Sequence, residues 1–331
     1  MIKRLCRLGV AATFAVAACS SPPAGATPTA GPSLGASPST AASQESALSP
    51  ATVATLALDV AVYSIAAGPE GVWLLSPSGR VVSVDRATNK LATEITIPAS
   101  EFGNIAVGND SVWVTDFDHN TLIRLDPSAR KIVATIPMGE NPEGIEVTSS
   151  AVFVSNHRGG SITKVNPATN KVAATFEFAT TGPSGPKDIV VLAGDLWTTV
   201  PNSSSMYRVD ASTGDVVKRL FIPNDLSSPI TDGTYVYLRA GTDLLRVDPA
   251  TNAVDPVVGG AMPLAYGQSA LWSIIDSDLV RLDPQTLEPA ARWRVLPASI
   301  AAGPSIGMAV DADSVWIVID GRTLLRVTPT E

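Results

Sequence analysis

Two cysteines and two histidines are all that the 331 residues carry. Both cysteines, Cys6 and Cys19, fall near the N-terminus, so the body of the chain has no thiol for a disulfide or a soft-metal site. Its stability must come from packing. Positive charge is scarce too. With 23 Lys and Arg against 31 Asp and Glu the formal charge is -8, which argues against nucleic acid as a partner, because phosphate binding needs clustered positive charge. Charged residues are only 16% and aromatics 5%, yet 45% of the chain is hydrophobic. That is enough to bury the core of one large or two ordinary domains, and it excludes a disordered or fibrous protein.

The N-terminal apolar run, Leu8 to Ala18, has 11 residues where a membrane-spanning helix needs about 20. Lys3, Arg4 and Arg7 precede it and small residues follow, so residues 1–18 read as a secretory signal peptide. The run ends in Val16-Ala17-Ala18-Cys19, which resembles the lipobox of bacterial lipoproteins, where the cysteine is diacylated and becomes the first residue after cleavage. Loss of 1–18 would remove three basic residues and leave 20 against 31 acidic ones, so lipid on Cys19, not charge, would hold the chain at a membrane. From Ser20 to Pro50, 27 of 31 residues are Pro, Ala, Ser, Gly or Thr. Nothing there can form a core, and residues 19–50 are expected to be a lipidated tether reaching on the order of 30 Å.

Residues 51–331 repeat at a period near 40. Related blocks begin at Ile65, Ile105, Ile145, Ile189, Ile230, near Leu264 and at Met308. Each reads as four short strands: an apolar triplet, a run bearing an aromatic, a strand ending in Asp-Pro or similar, and a β-branched strand. The aromatic recurs at Trp73, Trp113, Phe153, Trp197, Tyr237, Trp272 and Trp316, at intervals of 40, 40, 44, 40, 35 and 44 residues. Seven aromatics in one rank predict an all-β protein, a seven-bladed β-propeller of four-stranded antiparallel blades with the rings filling the wedges between sheets. The seventh block stops after its third strand, while Ala51–Leu58 looks like a fourth strand, so the N-terminal strand is expected to complete the last blade.

Two further ranks recur. Asp85, Asp126, Asn166, Asp210, Asp248 and Asp283 end the third strands, where a short acceptor can cap the turn that follows. Two residues earlier stand Arg124, Lys164, Arg208, Arg246, Arg281 and Arg326, with Ser83 as the exception; ion pairing with nearby turn acids is their expected use.

The stretches VFVSNHRGGSITKVNPATNKVAATFEFA and VWVTDFDHNTLIRLDPSARKIVATIPMG resemble the YVTN-type repeat propellers of bacterial secreted proteins. The tryptophan-bearing copies are also similar to the virginiamycin B (streptogramin) lyase propellers, and the resemblance spans 51–331. The lyase resemblance implies a magnesium ion with histidine and glutamate in acid-base roles, and an acid three residues after the blade aromatic. That rank here reads Ser76, Asp116, Asn156, Val200, Ala240, Ile275 and Ile319, so Asp116 alone conforms.

Propeller ligands usually meet the loops between second and third strands and between blades, around the channel mouth. In blades two and three these loops carry Asp116, Asp118, His119, Glu140, Glu143, His157 and Arg158, including both histidines. The reading is therefore a lipid-anchored extracytoplasmic protein whose propeller binds a protein, peptide, glycan or small molecule at the cell envelope, through these residues and with no cofactor implied. A divalent-metal-dependent lyase or lactonase-like enzyme and a structural envelope scaffold are the alternatives.

Overall fold

The computed structural model of the chain describes residues 48–330, apart from 70, 99, 101, 179–184, 260–263 and 297–306. The signal segment, Cys19 and nearly all of the tether therefore lie outside the described residues. The strands form seven four-stranded antiparallel sheets. β1 (Ala51–Ala57) precedes blade one, which comprises β2 (Ser64–Gly68), β3 (Gly71–Leu75), β4 (Arg80–Asp85) and β5 (Lys90–Thr96). Blade two is β6 (Ile105–Gly108), β7 (Ser111–Asp116), β8 (Thr121–Asp126) and β9 (Lys131–Pro137); blade three is β10 (Pro142–Val147), β11 (Val152–Asn156), β12 (Ser161–Asn166) and β13 (Lys171–Glu177). Blade four follows with β14 (Ile189–Leu192), β15 (Asp195–Val200), β16 (Ser205–Asp210) and β17 (Val216–Phe221); blade five has β18 (Leu226–Thr231), β19 (Val236–Ala240), β20 (Asp243–Val247) and β21 (Val254–Gly259). Blade six is β22 (Leu264–Gly267), β23 (Ala270–Ile275), β24 (Asp278–Leu282) and β25 (Pro289–Arg294), and blade seven contributes β26 (Gly307–Val310), β27 (Val315–Ile319) and β28 (Thr323–Pro329).

The first strands of neighbouring blades touch in a closed circle, β26 meeting β2, so these short strands line the central channel. Closure occurs as expected. β1 pairs antiparallel with β28 from Ala51 opposite Pro329 to Ala57 opposite Thr323, supplying the missing outer strand of blade seven. The Pro50 carbonyl, just before β1, also accepts from Trp293 Nε1 of blade six at 2.9 Å and from Thr330 Oγ1 at 3.0 Å.

The core is divided into seven apolar clusters, each between two adjacent blades. All seven rank aromatics are buried, as the wedge argument requires. Trp113 packs with Val152, Val154 and Val165 of blade three, for example.

The turn caps hold as well. Asp210 Oδ1 accepts the amides of Ser212 and Thr213 at 2.7 and 2.9 Å, and Asn166 does the same for Ala168 and Thr169. Each capped turn ends on a left-handed residue, with φ of 55° at Asn89, 57° at Asn170 and 60° at Asn252, where asparagine is tolerated and glycine favoured. Blade four has Gly214 at this corner, φ 82°, and a Cβ there would also run into the Phe176 ring.

The basic rank behaves differently from expectation. Arg124, opposite Trp113 in the ladder, lies 4.9 Å over that indole and donates to the Pro167 carbonyl and to Asn170 Oδ1 at 2.8 Å, both in the capped turn of blade three. Lys164 reaches Ala211 O, Arg208 reaches Pro249 O, Arg246 reaches Gln285 O and Arg326 reaches Arg86 O, in each case the turn of the next blade. Ion pairs are the lesser part: Arg208 with Asp195 at 2.6 Å and Arg246 with Asp255 at 3.5 Å. A planar guanidinium can lie flat on a ring while its edge donors satisfy carbonyls across the wedge, so the rank stitches blade to blade.

Candidate functional site

Antiparallel alternation sends the capped turns to one end of the ring and the second-to-third-strand loops, with the starts of the first strands, to the other. All seven residues chosen from the sequence lie at this second end, but they divide. Asp116 closes β7 and is 1% exposed; its two carboxylate oxygens lie 2.8 and 2.9 Å from His119 Nδ1, and Oδ1 also accepts the His119 amide. The pair is local to one hairpin. The hydrogen bond and the charge of Asp116 favour the protonated imidazole and push its pKa up, while the ring itself is about half exposed. The Asp118 amide is held by Ser100 Oγ at 3.2 Å. Burial, reinforced by Asp116 and Asp118, pushes the neighbouring Tyr63 hydroxyl well above its ordinary value.

Glu143 and His157 belong to a second group at the channel mouth. β10 carries a register shift between Pro142 and Ile145, and β18 carries one between Ser227 and Ile230. Bulges of this kind re-aim side chains at the end of a strand. Glu143 pairs with Lys187 of blade four at 3.5 Å. Beside them stand Asp188, whose Oδ2 accepts the Ser228 amide at 3.2 Å, and from blade five Asp225 and Arg239. Burial raises the pKa of both Glu143 and Asp188; the Lys187 ammonium and His157 oppose that rise in each case. Burial pulls Lys187 down, but Asp188 and Glu143 outweigh it and its pKa rises, whereas burial lowers that of Arg239 against the pull of Asp225 and Asp188.

A belt of hydrogen bonds from blade to blade supports this mouth. Ser64 Oγ donates to Asn104 Oδ1 at 3.3 Å, Asn104 Nδ2 to Glu143 O at 3.1 Å, and the Gly144 amide to Lys187 O at 3.0 Å. Gly144 is obligatory, because any Cβ would collide with the Lys187 carbonyl. Among the described residues, four side-chain atoms in this region are buried without a partner: Asn141 Oδ1, Asn156 Oδ1, His157 Nδ1 and Arg239 Nε. Glu140 and Arg158 stay exposed, and the Glu140 carbonyl only receives the Gly159 amide. The two lie at this end of the ring but make no side-chain contact with either group among the described residues.

Lys187, Asp188, Asp225 and Arg239 were not singled out by sequence reasoning. The available signal was positional: Glu143, Lys187 and Asp225 each stand one or two residues before a first strand or at its start.

The donor set does not fit the magnesium ion of the lyase resemblance. Among the described residues no three His, Cys, Asp or Glu converge to share a cation, and both Asp116 oxygens are engaged by His119. No step through a metal follows.

The chain matches no protein-family model and no curated protein sequence. Among solved structures, virginiamycin B lyase from Staphylococcus aureus is similar at a TM-score of 0.69 with 16% identity, over 85% of this chain and 100% of that one. A streptogramin B lyase structure gives 0.70, 16%, 85% and 98%, and Kuenenia stuttgartiensis hydrazine synthase gives 0.66, 14%, 83% and 97%. At such identities the likeness is one of fold: the chain is a seven-bladed propeller of the architecture found in virginiamycin B lyase.

Proposed function

We propose that this protein is an extracytoplasmic binding module, anchored through lipid on Cys19, whose ligand is received at the channel mouth of blades three to five. The observation carrying this is the convergence of Glu143, Lys187, Asp188, Asp225 and Arg239 from three blades, with buried polar atoms of His157 and Arg239 left without partners. A buried donor or acceptor without a partner costs about 1–3 kcal/mol, which a ligand supplying the complementary group recovers. The ring holds these side chains in place before binding, so little ordering cost falls on association.

The test uses the full chain released from membranes in mild detergent. Incubation with an envelope extract, followed by native mass spectrometry, should show a bound small molecule or peptide on the wild type and its loss from Lys187→Met with unchanged melting. Identical adducts on both proteins, or a stable protein partner retained by both, would move the reading to a scaffold.

A further inference from the structure

The charges at the mouth are of both signs and interleaved, which restricts the ligand more than the binding reading does. Three carboxylates, Glu143, Asp188 and the exposed Asp225, come from blades three, four and five, and two cations stand among them. Lys187 lies 3.5 Å from Glu143; Arg239 is opposite Ser227 in the ladder and so next to the Ser228 amide that Asp188 accepts, while the Asp225 carbonyl accepts the Gly241 amide. Lys187 is committed to Glu143, but among the described residues Arg239 donates only through Nη2, to Gly241 O at 3.3 Å, and its buried Nε meets no acceptor. Among the described residues Asp188 accepts only the Ser228 amide, through one oxygen, and it carries a second oxygen in surroundings that resist its charge.

An anion alone would satisfy Arg239 while facing three carboxylates, and a cation alone would satisfy Asp188 while facing Lys187 and Arg239. Either half-match leaves one partly desolvated charge uncompensated, which costs more at the mouth than in open water. A molecule carrying an ammonium and a carboxylate a few bonds apart meets both needs at once. Resting on the binding reading above, we propose that the mouth takes a compact zwitterion of the free amino-acid class, its carboxylate on Arg239 and its ammonium between Asp188 and Asp225.

The experiment is saturation-transfer NMR on the full chain with three probes of matched size: L-alanine, ethylamine and propionate. L-Alanine should bind the wild type at least about tenfold more tightly than either single-charge probe. Asp188→Asn and Arg239→Gln should each weaken L-alanine about tenfold or more, while Arg239→Lys, which keeps the charge, should weaken it less. Melting curves matching the wild type show that the variants are folded. Ethylamine or propionate binding as well as L-alanine, L-alanine binding unmoved by both variants, or no L-alanine binding at all overturns the zwitterion. An envelope ligand lost on Lys187→Met would still uphold the binding reading in that event, so the two failures are distinguishable.

Discussion

Arg326, near the C-terminus, lies 5.1 Å over the indole of Trp316 in its own blade and donates to Asn89 Oδ1 of blade one at 3.0 Å. This contact crosses the seam where the ring closes. Arg326→Met should therefore cost about 1–3 kcal/mol in urea unfolding, since the Arg86 carbonyl and Asn89 would lose their donor. Arg281→Met should cost less, because blade seven has no capped turn at the corresponding corner; the two chain ends meet there instead.

Deleting residues 51–57 removes every hydrogen bond between β1 and β28. Calorimetry should show the melting temperature falling by about ten degrees or more. Size-exclusion chromatography should show association of the bared β28 edge. An unchanged melting curve would contradict closure by this strand.

Hydrogen bonds from Ser212 and Thr213 hold the Asp210 carboxyl down at about 2, and those in the turns of Asp85, Asp248 and Asp283 depress theirs. A depressed carboxylate stabilises the fold in full above its unfolded value near 4, and that contribution disappears as pH falls through the folded value. The quadruple Asp→Asn variant keeps an acceptor at each cap, as Asn166 does naturally. It should fold at pH 7 and show a flatter loss of stability between about pH 4 and 2, read by urea unfolding across that range.

Glu146 on β10 stands in the ladder row of Phe153, where blades one, two, six and seven have alanine, and burial pushes its carboxyl up to about 7. Here the sign is reversed: the folded chain binds the proton more tightly, so stability is full below the ordinary glutamate value and falls as pH rises toward 7. Glu146→Gln should be more stable than wild type at pH 8 by up to about 3 kcal/mol and nearly equal to it at pH 4.

Palmitate labelling of cells expressing the wild type should mark the protein, and Cys19→Ala should abolish the label and release the chain from membranes. Label persisting on Cys19→Ala would refute the anchor.

The ring was legible because its determinants are local and repeat. One large aromatic per copy dictates one wedge per blade, and a short acceptor before a turn caps it without help from elsewhere. The role of Arg124 was not, because its partners lie 43 and 46 residues away in the next copy, and one of them is a backbone carbonyl with no sequence signature. The Asp116–His119 pair lies three residues apart in one loop; of the mouth group, Glu143 and His157 were named from the sequence and the remainder were not. Its members come from three consecutive blades, differ from copy to copy, and become neighbours only when those blades pack side by side. Glu140 and Arg158, neighbours of Glu143 and His157 in the chain, are exposed and stand apart from both groups.

The order of biosynthesis meets this design at β1. Of the ring's strands, the first to leave the ribosome finds its partner in the last, so the circle stays open until all the blades between them have been synthesised. Joining them is a contact of extreme sequence separation, and its entropic toll places it at the end of folding. Until then, a half-made chain presents bare strand edges, and a nascent or truncated molecule is at greatest risk of joining a neighbour in place of itself.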